Sequence, residues 1–231
     1  MTTASSAPSS KTMTLRRCAL RALFLFLFSL GLVGMAPQAQ QAMAAEVLAE
    51  RPANAGAFLT NLGERAVVEL GDSALDEAER ERRFRSLFNE SVDVPAIGRF
   101  VIGPHWRRAS EAEQTAFLKV FEDAIVQRFL PLFAEYSGET FSIGRIRQDA
   151  NNPKHLFVTT TIVQTSGEPV DVEWRVRDRD GEFQILDIIA EGVSMAITLR
   201  QEYSSVIRQS GVDGLTAQLR KKVEAGAFVL K

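Results

Sequence analysis

From Val170 to Arg177 the chain alternates without interruption: Val170, Val172, Trp174 and Val176 are apolar, while Asp171, Glu173, Arg175 and Arg177 are ionic. Successive side chains of a strand point to opposite faces, so this pattern predicts a strand with one dry face and one wet face. Three more strands flank it. Phe141, Ile143 and Arg145 mark the first, followed by the turn-forming run Asp149-Ala150-Asn151-Asn152-Pro153. The second, over 155–164, is apolar or threonine on both faces, as expected of a central strand. Asp180-Gly181 turns the chain into a fourth strand over 182–190.

Elsewhere the spacing is helical. After a short lead-in at 45–53, Phe58, Leu59, Leu62, Ala66, Val67 and Leu70 recur by threes and fours and predict a helix over 55–70. A charged helix over 76–89 has a narrow apolar edge of Phe84, Leu87 and Phe88. Val94-Pro95 opens a short helix that breaks at Gly103-Pro104. Ser110 with Glu113 forms a capping box for the longest helix, whose stripe runs Phe117, Val120, Phe121, Ala124, Ile125 and is widened by Phe129 and Leu130. Pro131 should kink that helix, and Ser137-Gly138 should end it. Helices over 194–209 and 213–224, separated at Gly211, close the chain. Helices, then a meander, then helices predict an α+β domain: a curved four-stranded antiparallel sheet wrapped by helices on its apolar face.

The first 44 residues belong to neither layer. Lys11, Arg16, Arg17 and Arg21 precede an apolar block at 23–33, and Ala42-Met43-Ala44 presents small residues at the two positions a signal peptidase reads. The block falls short of the about 20 apolar residues of a membrane span. Residues 1–44 therefore read as a cleaved export signal and 45–231 as the mature, soluble, periplasmic domain; Met13 is an alternative start to Met1. The single cysteine, Cys18, lies in the leader, so the mature chain has no thiol chemistry. The leader holds four of the 27 basic residues and none of the 29 acidic ones, leaving 23 against 29 and a net charge of −6. Such a balance argues against a nucleic-acid partner.

Catalytic and metal motifs are absent. His105 and His155 have no second ligand at metal spacing, and no nucleophile elbow, P-loop or dinucleotide fingerprint occurs. Asp187, set in an apolar strand, is the one buried carboxylate that could act as a base; the plainer alternative pairs it across the sheet with Arg145 or Arg175. Large apolar side chains are abundant, with 12 of the 15 phenylalanines outside the leader.

The run 88–103 (FNESVDVPAIGRFVIG) with Trp106-Arg107 resembles the signature of the MlaC-like, or toluene-tolerance auxiliary, family. The likeness continues through Phe117, Phe121, Trp174-Arg175-Val176, Asp187-Ile188, the run 191–195 and the run 200–203; Pro104-His105 is a looser match. A branch associated with hopanoid lipids shares the pattern. The resemblance implies a soluble periplasmic phospholipid carrier, not an enzyme, that needs no cofactor. It would act as a monomer between an outer-membrane lipoprotein complex and an inner-membrane ABC transporter, its cargo's acyl tails in an apolar cavity between sheet and helices.

On that view the tails lie against Val170, Val172, Trp174 and Val176, facing Phe117, Val120, Phe121 and Ile125, with Phe100, Phe183 and Ile185 completing the set. Arg99, Trp106 and Arg107 are the candidates for the cavity mouth and headgroup; the alternative ties the arginines to Asp93 or Glu111. Two other readings stay open: a small enzyme using Asp187 or Glu173, and an interaction module with a filled core. The export reading makes Ala45 the first residue of the mature protein. N-terminal sequencing of the periplasmic form checks this, and recovery of the intact chain in the membrane fraction would contradict it.

Overall fold

The computed structural model describes residues 42–228, except Ser73, Asp180 and the segments 135–139 and 164–167; for 42–53 it describes the backbone path alone. Residues 1–41 of the expected export leader and the Ser137-Gly138 stop fall outside the described residues. Among the described residues there are five α-helices: α1 (Ala42–Leu70), α2 (Glu77–Ser91), α3 (Val94–Ile102), α4 (Glu111–Ala134) and α5 (Met195–Glu224), with a 3-10 segment at Gly103–Arg108. Between α4 and α5 run β1 (Thr140–Asp149), β2 (Asn152–Val163), β3 (Val170–Arg179), β4 (Glu182–Ala190) and β5 (Val193–Ser194).

The helix starts obey local chemistry. Asp76 caps α2 by accepting from the Glu79 amide at 2.8 Å, and Asp93 caps α3 through Ala96 at 3.0 Å. At α4 the Ser110 amide donates to Glu113 at 2.7 Å while the Glu113 amide donates to the Ser110 hydroxyl at 3.2 Å, the reciprocal capping box. Gly211 interrupts α5 with non-helical φ 71° and ψ −176°, so this element is two helices meeting at a glycine break, as expected. The lead-in at 45–53 is helical and belongs to α1.

The sheet is an antiparallel meander in the order β1-β2-β3-β4-β5. It has five strands where four were expected. The fifth is only two residues long, paired to Ile189 and Ala190 after Glu191 (φ 52°) and Gly192 (φ 75°) reverse the chain, and two residues carry no readable alternation. Leu156, Val158 and Ile162 of β2, with Val172, Trp174 and Val176 of β3, form the buried face against the helices. Thr160 is tolerated there because its hydroxyl accepts from the Trp174 indole at 2.9 Å. The second face of β2 is half-buried: the Arg147 guanidinium lies 3.9 Å over Phe157 and is held by Glu173 at 2.9 Å. Gly98 lets α3 pack tightly on α4, since a Cβ there would sit 2.5 Å from Leu118.

A bulge breaks the β3–β4 ladder. Arg175 faces Asp187 and Val176 faces Ile185, leaving Leu186 as the extra residue. Asp187 consequently meets the start of α5, not an arginine as expected. Its carboxylate accepts from the Ile188 amide at 2.8 Å, the Ala196 amide at 2.9 Å and the Ser194 hydroxyl. Arg175 instead reaches Asp149 at 3.0 Å. On the same strand Ile185 forms a bridge with Val92 and accepts from the Asp93 amide at 3.0 Å, while Asp93 pairs with Arg177. This stretch of β4 thus fastens both the α2–α3 junction and α5 to the sheet.

Asp187→Ala strands two backbone amides and a hydroxyl. It should lower unfolding stability by roughly 2–4 kcal/mol, measured by urea denaturation. A second expectation concerns pH. Burial, then the neighbouring Arg175 charge, holds the His155 imidazole below its ordinary 6.5. A depressed folded pKa favours the neutral ring, so its contribution is complete above about pH 6.5 and is lost as pH falls toward the folded value. Asp149, lowered by the Asn151 amide and by Arg175, loses its contribution only below its ordinary 3.8, in a separate window. Urea midpoints should decline from about pH 6.5 downward in the parent and stay flatter in His155→Gln.

Candidate functional site

The inner face of the sheet and the helices do not close completely on one another. A recess remains between them. Leu62, Gly63 and Ala66 of α1 and Phe84, Leu87 and Phe88 of α2 form one part of its wall. Ala124, Ile125, Arg128, Phe129 and Phe133 of α4 and Met195, Ala196, Leu199 and Tyr203 of α5 form another. Trp174 and the bulged run Ile185, Leu186, Asp187 and Ile188 supply the sheet side, and Phe228 comes from the C-terminal end.

Small side chains help explain why the space is there. Gly63, Ala66, Ala124 and Ala196 stand on the wall where larger residues would fill it. Around them the aromatic rings brace each other: Phe84 lies 5.4 Å from Phe133 and 5.9 Å from Phe88. The walls are overwhelmingly apolar. Of the polar groups on them, the Ser91 hydroxyl donates to the Leu87 carbonyl at 2.6 Å, the Trp174 indole donates to Thr160, and Asp187 is committed to its three donors. Tyr203 has its phenol pushed well above the usual range by burial, so its hydroxyl stays protonated. The Arg128 Nε is buried without a hydrogen-bond partner.

Three of the expected tail-contact residues, Ile125, Trp174 and Ile185, are on this wall. Phe117, Val120, Phe121, Val172 and Val176 are buried in the packed core beside it; Phe117 stacks on Phe121 at 5.4 Å, and Tyr203 meets Phe121 edge-on. Val170 is half-buried at the start of β3, and Phe183 packs 5.9 Å from Phe58, both off the wall. Phe100 points outward beneath Arg200, 37% exposed. Arg99, Trp106 and Arg107 sit on α3 and the 3-10 segment, away from the lining; Arg99 lies 5.5 Å over the Trp106 ring, and Asp93 takes Arg177 in place of either arginine.

On α4 sequence reasoning named Ile125 but not the wall residues around it. Phe117, Val120 and Phe121 serve the core, whereas Ala124, Arg128 and Phe129, further along the helix, join Ile125 on the recess. The visible hint was Phe129, which widened the apolar stripe around a cation. Among the described residues no group of three or more histidines, cysteines and carboxylates is placed to hold a metal ion, and no helix is long and apolar enough to cross a membrane.

The intermembrane phospholipid transport system binding protein MlaC of Haemophilus influenzae is 23% identical over 133 residues, covering 56% of this chain and 62% of the relative. The chain thus aligns to less than two thirds of that protein's length. A phospholipid-binding protein of Ralstonia solanacearum, solved in complex with a phospholipid, superposes with a TM-score of 0.67 at 19% identity, covering 75% of this chain and 98% of the other. That likeness establishes a shared α+β fold. The MlaC protein family is matched from residue 64 to residue 221, which takes in α2 through most of α5, and the chain belongs to that family.

Proposed function

We propose that this protein is a phospholipid carrier that holds acyl tails in the recess between sheet and helices. The observation that carries the reading is the recess itself: an apolar space, lined by aromatic and aliphatic side chains, in a member of the MlaC family. A relative named for phospholipid transport and a fold neighbour solved with a phospholipid support it.

The energetics suit carriage. Burying an acyl chain gains about 0.8 kcal/mol per CH₂, so two long tails leaving water gain roughly 20 kcal/mol gross. Escape into water is then negligible, whereas exchange between a bilayer and an apolar recess trades one apolar environment for another. Such a carrier works by docking to membrane complexes. We assign the inner-membrane partner to an ABC transporter and the outer-membrane partner to a lipoprotein complex, with the mature domain 45–231 acting as a periplasmic monomer released by cleavage of 1–44. The enzyme alternative is the weaker one, because both of its candidate bases are engaged in structural contacts: Asp187 with the Ile188, Ser194 and Ala196 donors, Glu173 with Arg147 at 2.9 Å.

Native mass spectrometry of the exported protein should show co-purified lipid of phospholipid mass. Ala66→Trp puts an indole into the recess and should reduce bound lipid several-fold while the protein stays folded by circular dichroism. Lipid-free parent protein, or full occupancy in Ala66→Trp, would contradict the reading.

A further inference from the structure

We infer that Arg128 is the anion-recognition residue of the recess, its guanidinium taking the phosphodiester of the bound lipid. The inference rests on the carrier reading and adds what that reading leaves open, namely which part of the wall meets the polar end of the cargo.

Elimination leads to Arg128. Of the other polar groups on the wall, Ser91, Trp174 and Asp187 already have protein partners. Arg128 is the only cation among the lining residues described, and its Nε is buried with nothing to donate to. A buried donor left unmade is costly. Arg175 and Arg177 also bury an Nε without a partner, but only Arg128 does so on the recess wall. Asp187 does not supply the acceptor, its three bonds running to Ile188, Ser194 and Ala196. The acceptor that fits is an oxyanion brought by the ligand, because a guanidinium presents planar paired N–H groups that match phosphate or carboxylate geometry.

The surroundings reinforce this. Tyr203, on the same wall, is near enough for the Arg128 charge to act on its buried phenol. Gln127, the neighbour of Arg128, fixes the C-terminal end by donating to the Val223 carbonyl at 2.9 Å and accepting from the Phe228 amide at 3.3 Å. Phe228 is itself on the wall. Arg128 therefore sits on a braced stretch of α4, between the aromatic walls and the end of the chain.

The test loads delipidated mature protein from vesicles containing phosphatidylglycerol, diacylglycerol with the same acyl chains, or the free fatty acid, and measures affinity for each. Arg128→Met should weaken phosphatidylglycerol binding roughly ten- to hundredfold and leave diacylglycerol within about twofold, since hydrogen bonds to charged groups carry that difference. Arg128→Lys, which keeps the charge without the planar fork, should fall between parent and Arg128→Met. Arg208→Met, which removes an exposed arginine of α5 outside the recess, should bind all three ligands as the parent does. The inference is overturned if Arg128→Met loses both glycerolipids equally, loses neither, or loses the fatty acid alone. It is equally overturned if Arg208→Met shows the same selective loss, which would mark an effect of net charge. A parent that binds no glycerolipid at all would overturn the carrier reading as well, so the two failures are distinguishable.

Discussion

Much of this architecture hangs on a single irregularity in β4. With Leu186 inserted as an extra residue, the strand turns the Asp187 carboxylate onto the first turn of α5, where it binds the Ala196 amide. Two residues earlier, Ile185 takes the Asp93 amide and so ties the α2–α3 junction to the same strand. The Ile185 attachment is made by the backbone carbonyl and the Asp187 attachment by the side chain. The bulge places four consecutive residues, Ile185 to Ile188, along the recess. This short run of β4 thus anchors two helical layers and shapes the sheet wall between them.

The recess and the core compete for the same apolar side chains, and α4 divides them along its length. Its N-terminal half fills space: Phe117 and Phe121 are fully buried. Its C-terminal half leaves space, because Ala124 is small and Arg128 and Phe129 stand on the recess wall. An unfilled gap in an ordinary core is destabilising, as cavities lose both transfer energy and contacts. In a carrier the cargo makes up that loss when it enters. The stability of the domain and the occupancy of the recess should be coupled for that reason.

Most of the fold was legible in the sequence because its periods are clean. The alternation at 170–177, the capping box at Ser110 and the break at Gly211 each report a local rule, and each element lies where its rule puts it. Two features were illegible for a physical reason. A two-residue strand such as β5 has no period, and a bulge is defined by its neighbour's register, which no single segment contains. The site suffered most from the second. Alternation made Val172 and Val176 as good candidates as Trp174, yet only Trp174 reaches the recess, because the position of the helices decides where the gap falls. Arg128 was passed over as a polar interruption in an apolar stripe; nothing in the stripe itself told that its Nε would be buried.

The account makes one claim on which the rest depends, that acyl tails lie against the wall containing Trp174. The protein has two tryptophans, Trp174 on that wall and Trp106 away from it, so each can be watched alone. Phospholipids brominated along the acyl chain quench indole emission on contact. Loaded into the Trp106→Phe protein, they should strongly quench the emission of Trp174, and loaded into Trp174→Phe they should leave Trp106 nearly unchanged. Quenching of Trp106 with Trp174 left bright would place the tails elsewhere and contradict the account.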